Sequence, residues 1–286
     1  MCYSFDTAMG IHISRRSFVS AVAAAPLASA IAKSKKIPVG LEMFSVRNEL
    51  AKDLEGTVTK VAKMGYEDIE FFAPYFSWTP EKAKEIRKLM DGLGIVCRST
   101  HNGPESFAPE NYQKAIDLNG ILGSKLIVMA SAGRVTTADG WKKVADTLNA
   151  GAAAFKKAKI SAGYHNHQLE FRPLEGTRPI EIIAKNTTKD VVLQLDVGTC
   201  VEVGQDPVAW IDANPGRIRA IHCKEWSPQK GYRVLFGEGV SPWKKIFEAA
   251  EKTGGVELYI IEQEGADVPP FEAVEKCLAS FRKMRA

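Results

Sequence analysis

Tyr66-Glu67-Asp68-Ile69-Glu70-Phe71-Phe72, Ile95-Val96-Cys97-Arg98-Ser99-Thr100-His101 and Lys125-Leu126-Ile127-Val128-Met129-Ala130 are three β-rich runs whose ends fall 29 residues apart. Between the first two lies Thr79-Pro80-Glu81-Lys82, a capping residue followed by proline at the first helical position, opening an amphipathic stretch over Pro80–Gly92. Gly65, Gly94 and Gly123 stand just before the three runs, where glycine closes a helix. This is a βα repeat. Working outward, the same alternation recurs with runs Ile37–Ser45, Ile160–His167, Val191–Val197, Ile218–Lys224 and Glu257–Gln263. Helical patterns follow over Trp141–Lys159, Pro242–Gly254 and Pro270–Arg285, with Ser241-Pro242 repeating the Thr79-Pro80 device and Gly254 closing its helix. Eight units over residues 31–286 average about 32 residues apiece, and a (β/α)8 TIM barrel needs about 250 residues. A doubly wound sheet would want a glycine-rich phosphate turn after an early strand, and neither GxGxxG nor GxxxxGK[ST] occurs. The expected architecture is one (β/α)8 barrel.

The N-terminus reads differently. Ser14-Arg15-Arg16-Ser17-Phe18-Val19 leads into an apolar stretch to Leu27 and then Ala28-Ser29-Ala30. A charged head, a short apolar segment and a small-residue cleavage site make a secretory signal, and the paired arginines give it the twin-arginine form. Residues 1–30 are therefore expected to be a signal peptide read by the twin-arginine export machinery, leaving a periplasmic barrel over 31–286. Of the 286 residues 45% are hydrophobic and 25% charged, with Lys+Arg 38 against Asp+Glu 34, a composition of globular rather than disordered chains. A formal charge of +4, evenly spread, does not point to nucleic acid, and no apolar run reaches the length of a membrane span. Five cysteines without a CxxC pair indicate neither a zinc knuckle nor a disulfide scaffold.

In such barrels the chemistry sits at the C-terminal ends of the strands. Here those ends carry Glu42, Glu70, His101, His165 with His167, Asp196, His222 with Lys224, and Glu262 with Glu264. All four histidines beyond the signal segment fall at strand ends. Because side chains alternate along a strand, His165 and His167 share a face, as do His222 and Lys224. Mixed nitrogen and oxygen donors of this kind suit one divalent ion, Mn, Mg, Co, Zn or Fe, with positions left open. Asp196 before Val-Gly-Thr could instead cap a helix, and Glu262 could form a structural ion pair.

The motifs Gly40-Leu41-Glu42-Met43-Phe44-Ser45-Val46-Arg47, Tyr164-His165-Asn166-His167-Gln168-Leu169-Glu170-Phe171, Leu195-Asp196-Val197-Gly198-Thr199, His222-Cys223-Lys224-Glu225 and Gly237-Glu238-Gly239 together resemble the xylose isomerase-like TIM barrels, the sugar phosphate isomerase/epimerase group. The resemblance implies a divalent metal held by glutamate, aspartate, histidine and a second glutamate from strands five to eight. Asp196, His222 and Glu262 match the last three. Where relatives read Glu-Asn-His, this chain reads His165-Asn166-His167. Either His165 replaces the first glutamate or Glu170 bends back to supply it, and charge balance around a hard cation favours Glu170. The expected metal set is thus Glu170, Asp196, His222 and Glu262, with His165, His167, Lys224 and Glu262 as catalytic groups. Glu42, Glu70, His101, Trp226 and Arg233 are expected at the substrate.

An ion on a hydroxyketone would polarise the carbonyl while a base removes the neighbouring proton. Protonation elsewhere then gives an isomerase or epimerase, and loss of a β-group gives a lyase. Export disfavours a phosphorylated substrate, so the expected substrate is a non-phosphorylated keto-sugar; exported relatives that this chain resembles include lyases or hydratases of 3-keto-glycosides, and a 3-keto-glycoside 1,2-lyase is the specific activity expected. Two other readings stand beside this one: a non-catalytic sugar-binding barrel, and a nuclease of abasic DNA, which would need more metal ligands than the strand ends offer.

Overall fold

Alternation along the strands decides what this barrel holds inside. The structure is a computed structural model describing residues 36–286, so the signal segment expected at 1–30 lies outside the described residues. Eight parallel strands run β1 Val39–Glu42, β2 Asp68–Glu70, β3 Ser99–Asn102, β4 Leu126–Met129, β5 Ser161–His165, β6 Val192–Asp196, β7 Ala220–Cys223 and β8 Leu258–Ile261. They pair in the order β2-β1-β8-β7-β6-β5-β4-β3. Two isolated parallel bridges, Asp68 with Val96 and Phe71 with Thr100, join β2 to β3 and bring the ring round. This is the (β/α)8 TIM barrel the repeat predicted; seven strands lie inside their expected runs, and β3 passes the end of its run by one residue, Asn102.

Outward-facing strand residues such as Leu41, Ile69, Leu195, Ile221 and Ile261 are wholly buried beneath the helices in one extended apolar layer. Fully burying one such side chain stabilises the fold by about 1.5–3 kcal/mol. Inside the barrel, Leu126, Val128, Val192, Ala220, Leu258 and Ile260 form a separate small cluster. The inward series therefore reads apolar first and polar at the strand end: Val192, Gln194, Asp196 on β6; Ala220, His222, Lys224 from β7; Leu258, Ile260, Glu262, Glu264 from β8. The apolar cluster plugs the barrel, and the polar groups stack above it.

Local signals set the helices as expected in most places. Thr79 Oγ1 accepts from Lys82 N at 3.2 Å to cap Pro80–Leu93, which Gly94 closes in a left-handed conformation at φ +69°. The Ser241-Pro242 device does not act the same way. The helix there begins at Trp243 with Pro242 as its capping residue and no side-chain cap, and Ser241 Oγ finds no hydrogen-bond partner. Ser241 N is drawn instead to Glu225 Oε1 at 3.2 Å. Gly254 belongs to the last helical turn, and Gly255 makes the left-handed stop.

Candidate active site

Above the plug, seven strands deliver side chains to one buried cluster. His222 is the hub. Its Nδ1 lies 2.7 Å from Glu262 Oε2 and its Nε2 lies 2.6 Å from Glu70 Oε2. The His101 ring stacks on it at 4.7 Å and 8°, and His165 meets both rings edge-on at 4.5 Å. Burial alone would discharge His222, but Glu70 and Glu262 together hold its imidazolium up to about 9. His165, surrounded by other rings and Lys224, is pushed well below the usual histidine range, first by burial and then by those neighbours.

Asp196 has two jobs. Its Oδ1 accepts from Thr199 N at 2.9 Å, capping the short helix Val197–Glu202, so the capping role anticipated for this residue is real. Its Oδ2 is buried, has no hydrogen-bond partner, and faces His165 Nε2 at 3.7 Å. Lys224, only 2% exposed, places Nζ 3.3 Å from Asp196 Oδ2, 3.3 Å from Glu262 Oε1 and 2.5 Å from Glu264 Oε1. Burial lowers an ammonium's pKa, yet Asp196, Glu262 and Glu264 drive this one well above its ordinary value. In return, Lys224 and His222 overcome the burial of Glu262 and keep it ionised far down the pH scale.

Glu170 does not enter the cluster. Its Oε1 accepts from Tyr164 Oη at 2.7 Å and its Oε2 from His167 N at 2.9 Å. The chain turns into a one-turn helix, Gln168–Phe171, directly after His167, and Glu170 closes that turn. His165 takes the position near Asp196 instead. Glu70, expected at substrate, also has both oxygens filled: Oε1 by Ser99 Oγ and by Gln194 Nε2 at 2.9 Å, Oε2 by His222 and by His101 Nε2 at 3.2 Å. Burial pushes Glu70 up, but His101 and His222 outweigh it and hold the carboxyl down to about 2. Glu42 goes the other way. Buried beside Glu70 and Glu262, it is raised well above the carboxylate range, with Oε2 unpartnered 3.6 Å from His101 Nδ1.

Arg233 is exposed and bound to Asp267 Oδ1 at 2.6 Å and to the Ala266 carbonyl, so it ties the loop after β7 to the loop after β8. Trp226 and His167 are half-buried at the rim, with the His167 ring 4.9 Å from His165. The loop bearing Trp226 is held by Glu225, a buried carboxylate that accepts from Trp226 N, Ser241 N, Gly237 N and Trp243 Nε1 at 2.6–3.2 Å. Two participants have no role assigned from the sequence. Glu225 is one. The other is Gln194, whose signal was its parity: it sits two residues before Asp196 and so shares the inward face.

His165, Asp196, His222 and Glu262 each offer a donor atom, and the four atoms lie within 4.8 Å of one another, all buried. Two imidazoles and two carboxylates match the donors divalent ions take. The unpartnered Asp196 Oδ2 is a buried acceptor that a cation would satisfy. A second set, Glu42, Glu70, His101 and His222, is equally close. Its Glu42 Oε2 is likewise without a hydrogen-bond partner, whereas both Glu70 oxygens already accept hydrogen bonds. With the first set as ligands, Glu70 becomes the outer carboxylate that orients His222, the usual partner of a ligating histidine.

The family model of the xylose isomerase-like TIM barrel matches residues 58–284. An inosose dehydratase of Geobacillus thermodenitrificans (strain NG80-2) is 22% identical over 298 residues, spanning 88% of this chain and 98% of the relative. Among solved structures, a sugar phosphate isomerase/epimerase from Parabacteroides distasonis ATCC 8503 superposes with a TM-score of 0.74 at 29% identity, covering 90% of this chain and 98% of its own. The IOLI protein with a bound zinc atom shares the fold at a TM-score of 0.65 and 13% identity, covering 87% and 98%.

Proposed function

The chain belongs to the xylose isomerase-like TIM-barrel family, and from that premise we propose that it is an exported, divalent-metal-dependent enzyme that removes the proton next to a carbonyl of a non-phosphorylated keto-sugar. Expulsion of the β-substituent follows, as in a 3-keto-glycoside 1,2-lyase. The observation that carries the reading is the buried donor set His165, Asp196, His222 and Glu262, among them an Asp196 oxygen that accepts no hydrogen bond. The dehydratase relative supports elimination as the outcome, since a dehydratase too expels a group from its substrate. Ser14-Arg15-Arg16-Ser17-Phe18-Val19 supports export and so an unphosphorylated substrate.

Bound at this set, a divalent ion would polarise the ketone oxygen and lower the cost of negative charge there. The side chains divide the remaining work. His165 has Nδ1 on Gln194, and Nε2, beside Asp196, is taken up in the ion's donor set, which leaves no nitrogen for substrate. His167, half-buried at the rim, is the imidazole placed to accept the substrate proton. Lys224 keeps its ammonium at any working pH, so its Nζ hydrogens stabilise the developing oxyanion or follow the departing oxygen. Glu70 and Gln194 act behind the reacting groups by fixing the rings.

Proton NMR in deuterated buffer tests this, using a 3-keto-glucoside and separately a free ketose, each with and without chelator. The expected result is chelator-sensitive loss of the signal beside the ketone together with release of the aglycone. Exchange without release makes the enzyme an isomerase or epimerase. No exchange on either substrate, with no bound metal, leaves a sugar-binding barrel.

A further inference from the structure

We propose that Gln194 is a positioning residue that locks the tautomer of His165 and thereby turns its Nε2 lone pair toward Asp196, making His165 a cation ligand. This rests on the reading of the four-donor set as a cation site. Gln194 is 1% exposed on the inward face of β6. Its amide nitrogen donates to Glu70 Oε1 at 2.9 Å, and its oxygen lies 2.6 Å from His101 Nε2 and 3.0 Å from His165 Nδ1.

The direction of the amide follows from its surroundings. Glu70 is a carboxylate ringed by donors, Ser99 Oγ, His222 Nε2 and the amide, so the amide must turn its NH2 to Glu70. Its oxygen then faces two imidazoles, and an amide oxygen only accepts. Both facing ring nitrogens, His101 Nε2 and His165 Nδ1, therefore carry hydrogen. In a neutral His165 ring the other nitrogen, Nε2, bears a lone pair.

That lone pair lies 3.7 Å from Asp196 Oδ2, an acceptor with no hydrogen-bond partner. Lys224 Nζ comes within 3.3 Å of the same oxygen without hydrogen-bonding to it. Two buried acceptors are thus aimed at one another with no hydrogen between them. Lys224 offsets the charge of Asp196 from one side, but among the described residues nothing engages the two acceptors together, as an ion between them would. The consequence is an order of control: Glu70 sets Gln194, Gln194 sets His165, and His165 completes the ligand set with Asp196. One buried amide decides whether this histidine offers a hydrogen or an electron pair.

Long-range ¹H–¹⁵N spectra of the chelator-stripped wild-type protein read the tautomer directly and need no variant. The expected signature is a neutral His165 protonated at Nδ1; a ring protonated at Nε2 overturns the proposal. Gln194→Met keeps the volume and removes the acceptor. It should mix the two His165 tautomers and weaken Mn(II) or Zn(II) binding, measured by chelator competition, about 10–100-fold. A double variant, Glu70→Gln with Gln194→Glu, exchanges donor and acceptor and returns an oxygen to His165, so it should recover the Nδ1-protonated ring. If the wild type binds the ion and Gln194→Met binds it as tightly, Gln194 has no such role and the cation site stands. If the wild type binds no divalent ion, the ligand role and the functional reading fall together.

Discussion

Replacing Lys224 with methionine removes an ammonium that faces three carboxylates while nearly keeping its shape. Nζ lies 3.3 Å from Asp196, 3.3 Å from Glu262 and 2.5 Å from Glu264. At an effective dielectric of 20, a 3.3 Å pair is worth about 5 kcal/mol before desolvation is counted. The Glu264 pair counts for less than its distance suggests, because that side chain is 34% exposed and solvent screens it. Breaking a buried pair from one side costs about 3–5 kcal/mol, since the partner charge stays buried and uncompensated. For a barrel of this size that is a fall in Tm of roughly 10 °C at pH 7.

The sign of the pH dependence separates charge from packing. In the wild type Glu262 is held below its unfolded pKa, so its contribution is present above about pH 4.5 and fades in acid. In Lys224→Met the strongest influence holding Glu262 down is gone and Glu264, already raised by burial, loses its partner, so stability should improve as pH falls from 7 toward 5. The two melting curves should therefore converge in acid, as followed by circular dichroism. Addition of Mn(II) at pH 7 should restore part of the loss. A variant that melts within about 2 °C of the wild type at pH 7, or whose deficit stays constant down to pH 5, refutes the electrostatic account.

Asp196→Asn and His222→Ala should each abolish divalent-metal retention while preserving the far-ultraviolet spectrum of the barrel; full metal occupancy in either, by elemental analysis, removes that residue from the ligand set. Glu170→Gln should keep its metal and lose about 1 kcal/mol of stability, as a damaged helix cap does. A metal-free Glu170→Gln protein would restore Glu170 as a ligand. Asp68 is buried, and although Arg98 partly offsets the burial, its carboxyl is raised to about 7. The folded state therefore holds an extra proton between about pH 4 and 7, and stability falls as pH rises through that window. Urea titrations at pH 5 and 7.5 should show this fall, and Asp68→Asn should flatten it.

The strands were legible because inward parity and apolar runs coincide, and residues 192–196 show it: Val192 and Gln194 face in, Leu193 and Leu195 face out. The same parity brings His101, His165, Asp196, His222 and Glu262 to one end of the barrel. What sequence could not decide was set by backbone turns a few residues long. Glu170 follows His167 by three positions, a spacing equally compatible with a ligand and with a cap, and the immediate turn into Gln168–Phe171 selects the cap. Ser241-Pro242 resembles Thr79-Pro80 in sequence alone, because the distant Glu225 claims the Ser241 amide. Glu70 illustrates a third limit: a strand-end carboxylate can face substrate or brace a histidine, and only the partners filling both oxygens tell which.

The join between β2 and β3 carries a consequence for breathing of the barrel. Seven neighbouring strand pairs share continuous ladders, whereas this one has two isolated bridges. The amides that close it, Ile69 N to the Val96 carbonyl at 2.9 Å, Val96 N to the Glu67 carbonyl at 3.4 Å and His101 N to the Phe71 carbonyl at 2.8 Å, have few neighbouring bonds to share a disruption. Local opening is drawn from such thinly bonded stretches, so these three amides should exchange with deuterium ahead of those in β4 to β7. Glu70 sits between them, and its bonds to Gln194 and His222 span the lumen to β6 and β7. Those two bonds act as cross-braces over the weakest seam of the wall, and loss of either would quicken exchange there before it changed the melting of the whole.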